Sequence, residues 1–377
     1  MVVGNLPDPV LITRPAPFKQ MAEALMRQPI VAVDTESNSL HAYREQVCLI
    51  QFSTTETDYL VDPLALDDLS PLAPLFSDPR IEKVFHAAEY DLLCLKRDFF
   101  FDFANLFDTM VAARILGREA IGLGAILETE FGIHLDKRFQ RANWGQRPLP
   151  MDLLTYARFD THYLIALRDR LLEELRRRDL WPLAVEDFKR MSAVNGKMPE
   201  SRIPDCWRVS GAYDLDPQKA AVLLELCNYR DKIARNINRP LFKVIGDQTL
   251  LDIAAQLPQS LRDLNRIPGM SKNQVARHGQ SILAAVQRGL QAAPVYPPRS
   301  PRPSEQLLDR IEALKRWRKQ TALNMGVKSD VVLPRDLLYA IAEYNPRRPE
   351  DLAAILDHAP WRLEHFGNQI LNVLEQS

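Results

Sequence analysis

Apolar residues in the first 65 positions fall into short blocks rather than one sustained period. Residues 18–27 carry them at helical spacing, whereas IVAVDTE (30–36), VCLIQFST (47–54) and DYLVD (58–62) read as three strands. Their nearly continuous apolar runs suit a sheet covered on both faces. EKVFH at 82–86 is a further short strand, and 88–96, with leucines at 92, 93 and 95, is a helix. From Asp108 the pattern turns helical, through DTMVAARIL and GLGAILETEF to a long periodic stretch from about 150 to 177. An α/β domain is expected, its sheet supplied early and its helices late. Residues 192–210 contain Gly196, Pro199 and Pro204 with few apolar positions and read as a linker. No strand alternation follows, so the remainder is expected to be all helical.

That remainder repeats itself. A shift of 88 residues lays Arg230 on Arg318, Ala234 on Ala322, Val244 on Val332, Leu250 on Leu338, Ile253 on Ile341, Leu264 on Leu352, Gly279 on Gly367 and Ile282 on Ile370. One constant offset over more than 50 residues marks two copies of a small helical module. APVYPPRSPRP at 293–303 reads as a semi-rigid spacer between them. The expected division is therefore 1–195 for the α/β domain, 196–212 for the linker, 213–290 for the first module, 291–303 for the spacer and 304–377 for the second module.

Charge alters the picture only when it is resolved along the chain. The total is −1, yet residues 1–214 hold 25 Lys/Arg against 32 Asp/Glu, and 215–290 hold 11 against 6. An acidic domain joined to a basic one suits carboxylates that hold metal ions beside a module that holds phosphates. Apolar runs such as IVAV fall far short of the roughly 18 residues of a membrane span, and no basic-then-apolar export pattern opens the chain. A cytoplasmic protein with no membrane partner and no obligate protein partner is expected. Cys48, Cys94, Cys206 and Cys227 lack metal or redox spacing and read as buried thiols in a reducing compartment.

Asp34 and Glu36 end the IVAV strand one residue apart, which puts both carboxylates on one face. Such a pair repels itself unless cations or protons compensate it, and hard oxygen donors favour magnesium or manganese. Asp91 lies early in the helix that follows the EKVFH strand. Tyr156 and Asp160 are four residues apart and share a helix face. Two divalent cations held by such a set can clamp the attacking and departing oxygens of a phosphodiester, with the tyrosine orienting the water.

VDTE at 33–36, Asp91 within HAAEYD and YARFD at 156–160 resemble the three motifs of the DEDD exonuclease superfamily, in its tyrosine-type branch. KRFQRANWGQRPL at 137–149 is similar to the segment before the third motif of the ribonuclease D family, and the repeated module resembles the HRDC domain. The resemblance implies a ribonuclease H-like exonuclease domain with a mixed central sheet, followed by two all-helical HRDC-like domains. It implies Asp34, Glu36, Asp91 and Asp160 as ligands of two Mg²⁺ or Mn²⁺ ions and Tyr156 as the water-positioning residue. It also implies 3′-to-5′ removal of 5′-mononucleotides from RNA with a free 3′ end, with transfer RNA precursors as the natural partner. Two departures stand out. Asn143 precedes Trp144 where many family members carry aspartate, and AILDHAPW at 354–361 replaces RIPGMSK at 266–272, losing a glycine and a lysine suited to phosphate. The second copy is thus assigned mainly to packing, spacing or clamping, with direct RNA contact as the alternative.

Further residues are candidates for supporting roles. His41 could stack on or bond to the terminal nucleotide, or be an ordinary loop histidine. Gln51, His86 and Asp108 could support the ligand carboxylates from behind; the plain alternatives are a backbone bond, a structural histidine and a helix cap. Arg138, Arg141 and Arg147 around an exposed Trp144 suit phosphate and base contacts, or else the tryptophan packs the loop. In the first module Arg230, Lys232, Arg235, Arg239, Lys243 and Lys272 form the phosphate-contacting set, which positions a strand without reading bases. A DNA exonuclease of the same superfamily and a binding adaptor without catalysis are the competing readings.

Overall fold

The computed structural model describes residues 7–135, 138–193, 206–298 and 303–376. Most of the expected linker, part of the proline-rich spacer and residues 136 and 137 therefore lie outside the described residues. Those described group into two packed units, one drawn from Met1–Ser37, Val47–Gly196 and Arg302–Ser377, the other from Asn38–Gln46 and Lys197–Pro301.

The first unit is built on a mixed six-stranded sheet of β1 (Val10–Ile12), β2 (Ile30–Ser37), β3 (Val47–Ser53), β4 (Asp58–Val61), β5 (Glu82–Phe85) and β6 (Leu106–Asp108). Its order is β1-β4-β3-β2-β5-β6. β3 runs antiparallel to both β2 and β4, while β2, β5 and β6 pair in parallel. Around it lie α1 (Pro15–Leu25), α2 (Ala73–Ser77), α3 (Glu89–Phe99), α4 (Thr109–Ile115), α5 (Leu123–Phe131), α6 (Met151–His162), α7 (Leu164–Arg177) and α8 (Trp181–Ser192). Strand alternation divides the sheet's side chains. Val31, Val33, Ile50 and Phe52 join one core with Phe76 and Phe85, whereas Ala32 and Val84 join another with Leu167 and Leu171 of α7. β1 and β6 went unread because three residues are too few to show a period, and the stretch expected at 150–177 breaks into two helices at Tyr163.

The second helical module belongs to this unit. It comprises α9 (Glu305–Met325), α10 (Ser329–Val332), α11 (Arg335–Tyr344), α12 (Pro349–Ile355) and α13 (Pro360–Glu375). Val331 enters the core beneath α7 and α8, with Val327 and Trp361 packed against it. Gly117, at φ 77°, leaves no room for a Cβ because the Gly326 carbonyl lies against it.

The other unit holds the first module, α14 (Pro217–Asn236), α15 (Leu241–Val244), α16 (Asp247–Gln256), α17 (Leu261–Leu264) and α18 (Lys272–Gln291). Its five helices repeat those of the second module. Arg230 Nη1 donates to the Ile245 carbonyl at 3.1 Å, and 88 residues later Arg318 Nη1 donates to the Leu333 carbonyl at 3.0 Å. Cys206, Val209 and Ala212, read as linker, are buried in this module's core. Residues 38–46 join the same unit through Tyr43, whose hydroxyl donates to Asp231 at 2.7 Å and whose amide donates to Asn238 at 3.1 Å. All four cysteines are buried, and none is in a disulfide.

Candidate active site

β2 places the first two carboxylates. Val31 and Val33 point into one core, so Asp34 and Glu36 project with Ala32 from the opposite face. Asp91 arrives from the first turn of α3, whose start is fixed by a tight connection from β5. Ala87 takes φ 65°, rare without glycine, and the following Ala88 amide donates to Asp108 Oδ2 at 2.6 Å. The other Asp108 oxygen caps α4, accepting from the Val111 amide at 2.9 Å. Asp108 is thus both the cap and the support of the helix that carries Asp91. The Thr35 hydroxyl, between the two β2 carboxylates, donates to Asp91 Oδ1.

α6 brings Asp160 and, one turn earlier, Tyr156. The helix is pinned to the sheet by a network centred on Asp58, which takes a hydrogen bond from Arg158 Nε at 2.5 Å and lies 2.9 Å from His162 Nδ1. Ser53 donates to Asp58 at 2.7 Å and also bonds the Thr161 hydroxyl at 2.7 Å. Arg158 and His162 are invisible in sequence as partners of Asp58, about 100 residues away; their spacing of four, which sets them on one helix face, is the only local signal.

One oxygen each of Asp34, Glu36 and Asp160 lies within 4.8 Å of the others. Desolvation, followed by the charges of Asp91, Asp160 and Glu36, raises the Asp34 carboxyl well above its ordinary range. Glu36 is raised in the same way by desolvation and then by Asp160 and Asp91. Burial pushes Asp91 up to about 7, against the opposing Thr35 hydrogen bond, and burial with the charge of Asp91 pushes Asp160 up to about 7. Four acids so arranged resist ionisation together unless a cation shares the site, and converging hard oxygens fit a magnesium- or manganese-type ion.

A cleft of about 300 Å³ opens beside Asp160 and Tyr156, lined also by Leu135, Arg138, Phe139 and Phe159. The Tyr156 ring sits edge-on to Phe139 and 6.2 Å from Trp144. Arg138 is exposed, with its guanidinium 5.5 Å from the Phe139 ring, and Arg141 is exposed as well. Trp144 is not the exposed aromatic expected from sequence. It is 2% exposed, packed among Leu49, Leu60, Leu153 and Ala157, because its ring closes the core under α6. Arg147 also departs from expectation: it grips Asp62 through two bonds of 2.6 and 2.7 Å and donates to the carbonyls of Cys48 and Trp144. Its donors go to the loop's own architecture rather than to phosphate.

The remaining expected residues divide similarly. Gln51 is buried directly across the sheet from Asp34. His86 Nδ1 lies 2.9 Å from the Thr109 hydroxyl, which itself donates to the Phe85 carbonyl, so this histidine serves the β5–α4 junction. His41 is half-buried in the 38–46 segment of the other unit. In that unit Lys232, Arg235, Arg239, Lys243 and Lys272 are exposed, with Arg235 also paired to Asp231 at 3.1 Å. Arg230 must be removed from the phosphate set: it is buried and bonded to Ile245 and Asp247, holding α14 to the α15–α16 turn.

A 3′-5′ exonuclease family model matches residues 9–176, and the HRDC domain model matches residues 219–286 and 308–374. Ribonuclease D of Pseudomonas paraeruginosa is 31% identical over 371 residues, covering 96% of this chain and 96% of its own. The chain belongs to the ribonuclease D family of 3′-5′ exonucleases. The crystal structure of Escherichia coli RNase D, an exoribonuclease involved in structured RNA processing, is similar at a TM-score of 0.71 and 25% identity over 98% of this chain and 99% of that one. Protein RRP6-like 1 of Arabidopsis thaliana is 31% identical over 327 residues, 83% of this chain, but the chain spans only 50% of that relative's length. It spans still less, 19% and 33%, of the plant proteins RRP6-like 3 and RRP6-like 2. In the ribonuclease D frame, the mixed sheet and both HRDC modules accord with the fold expected from sequence. Among the described residues no helix is long and apolar enough to cross a membrane.

Proposed function

We propose that this ribonuclease D family member is a two-metal 3′-to-5′ exoribonuclease that releases 5′-mononucleotides and trims the 3′ ends of transfer RNA precursors. The observation that carries the reading is the convergence of Asp34, Glu36 and Asp160 on one point, with Asp91 held beside them by Thr35. Asp34, Glu36, Asp91 and Asp160 would hold two Mg²⁺ or Mn²⁺ ions, which when bound supply the positive charge that hydrolysis of a phosphodiester needs at its attacking and departing oxygens.

The chain's own residues do the rest. Tyr156 stands one turn from Asp160 at the wall of the cleft, where its hydroxyl orients the attacking water in line with the scissile phosphorus. The Asp58 network fixes α6 so that this hydroxyl and the Asp160 carboxylate keep one spacing. Exposed Arg138 and Arg141 steer the strand's phosphates toward the cleft, and the exposed lysines and arginines of the first module offer a phosphate-contacting surface of their own. A cytoplasmic location accords with four buried cysteines that form no disulfide.

The test is a 5′-labelled transfer RNA precursor with extra 3′ residues, incubated with magnesium, with manganese and with chelator, alongside a matched DNA. Metal-dependent shortening from the 3′ end that stops near the mature terminus is expected. Exclusive degradation of the DNA, or binding with no product in either metal, would overturn the reading.

A further inference from the structure

Gln51 is the one expected supporting residue whose surroundings do not account for it. The antiparallel register sets Gln51 opposite Asp34, so their side chains share a face. Two residues along β3, Ser53 bonds Thr161 of α6, and two residues back Leu49 packs with Leu153 and Ala157 of the same helix. Leu60 faces Gln51 from β4. The amide is therefore enclosed beneath α6 with apolar neighbours on two sides, 0% exposed, and neither Oε1 nor Nε2 has a hydrogen-bond partner among the described residues.

A buried amide with both ends unpaired is costly, and a leucine there would match its neighbours at no such cost. Stability alone thus gives no reason for glutamine. The polar group directly across the ladder is the Asp34 carboxylate. An amide N–H orients a carboxylate without cancelling its charge, whereas lysine or arginine would neutralise it and compete with a cation. We infer that Gln51 is a positioning residue for Asp34: its unpaired side-chain amide, on the same sheet face, turns to donate to the Asp34 carboxylate when a divalent cation draws that carboxylate into its ligand orientation. This rests on the metal-dependent reading above. Partners behind a ligand commonly set its geometry and basicity.

The experiment titrates Mn²⁺ into the full chain by calorimetry for the parent, Gln51→Leu and Gln51→Met, with Tm measured in chelator. Expected is a fall in Mn²⁺ affinity of about 10–100-fold in both variants, with Tm in chelator unchanged or raised. In an Asp34→Asn background the same substitutions should cost nothing more. Unchanged Mn²⁺ affinity with a lowered Tm would make Gln51 merely structural and overturn the inference, leaving the exonuclease reading intact. Absence of Mn²⁺ binding by the parent would overturn both. Should Gln51→Leu not fold, Gln51→Met, closer in length and flexibility, decides the same comparison.

Discussion

Arg362 is wholly buried with its guanidinium against the Glu186 carboxylate, joining α13 of the second HRDC module to α8 of the nuclease core. Glu186 also accepts from the Trp361 amide at 2.7 Å, and Arg362 donates to the Val331 carbonyl at 2.8 Å and to Asp187 at 2.8 Å. Nearly every polar atom of the pair is thus engaged, the condition under which a buried ion pair is tolerated. The equivalent place in the first module, 88 residues earlier, is Gln274, which keeps the matching bond within its module, to the Val244 carbonyl as Arg362 Nε bonds the Val332 carbonyl, but carries no charge. Arg362 is thus a residue by which the second copy is fastened to the core.

Removing one partner should expose that dependence. Glu186→Ala leaves a buried guanidinium with lost bonds and should destabilise the chain by about 3–5 kcal/mol, read by denaturant unfolding. Glu186→Leu combined with Arg362→Met should recover much of the loss. A single-variant cost below about 1 kcal/mol, the range of an exposed pair, would refute the anchoring role.

Metal-free stability should fall as pH rises. Asp91 and Asp160 sit up at about 7 in the fold, against about 3.9 in an unfolded chain. Between those values the folded protein binds protons that the unfolded chain releases, so the stabilisation present below the lower value is lost as pH passes through the upper one. In chelator, Tm at pH 8 should lie below Tm at pH 5.5 by more in the parent than in Asp160→Asn. Mn²⁺ at about 100 times its Kd should add about 2.7 kcal/mol at pH 8. Parallel pH profiles for parent and variant would contradict the assignment.

Much of this site was legible because strand parity and helical spacing are local. Asp34 with Glu36, and Tyr156 with Asp160, could be paired from periods of two and of about four. Asp91 was placed by its helix start, although Thr35 as its hydrogen-bond donor was not foreseen, since a threonine between two acids carries no distinctive spacing. Trp144, Arg147 and Arg230 were misjudged for a common reason. Each is polar or amphipathic in a segment that looked exposed, and each is buried or tied down by partners outside its own segment, from Asp247, 17 residues from Arg230, to Asp62, 85 residues from Arg147. Burial of an arginine is decided by such long-range pairing, which composition does not report.

Tyr156→Phe separates orientation of the water from packing of the ring. The phenylalanine keeps the aromatic contacts with Phe139 and Trp144 and removes only the hydroxyl. Steady-state hydrolysis of a short RNA should show kcat lowered by about 100-fold, with KM and Mn²⁺ affinity close to the parent's. A raised KM with kcat preserved would instead make Tyr156 a wall of the cleft.

Basic residues that face solvent should be distinguishable from those that hold the fold by the salt dependence of binding. Each phosphate neutralised on a single strand contributes about −0.7 to the slope of log affinity against log salt. Lys243 and Lys272 are exposed, so replacing either by alanine should make that slope shallower by about 0.7 while leaving Tm nearly unchanged. Arg147 has its donors on Asp62 and on backbone carbonyls; Arg147→Ala should lower stability by about 2–3 kcal/mol, the scale of hydrogen bonds to charged groups, and leave the slope as it was. Arg230→Ala belongs with Arg147 on the same reasoning, since its guanidinium is bonded to Ile245 and Asp247. Filter binding of the chain to single-stranded RNA in chelator, at several salt concentrations, reads the slopes without metal-dependent degradation. A shallower slope for Arg147→Ala at unchanged Tm would return that arginine to the phosphate-contacting set.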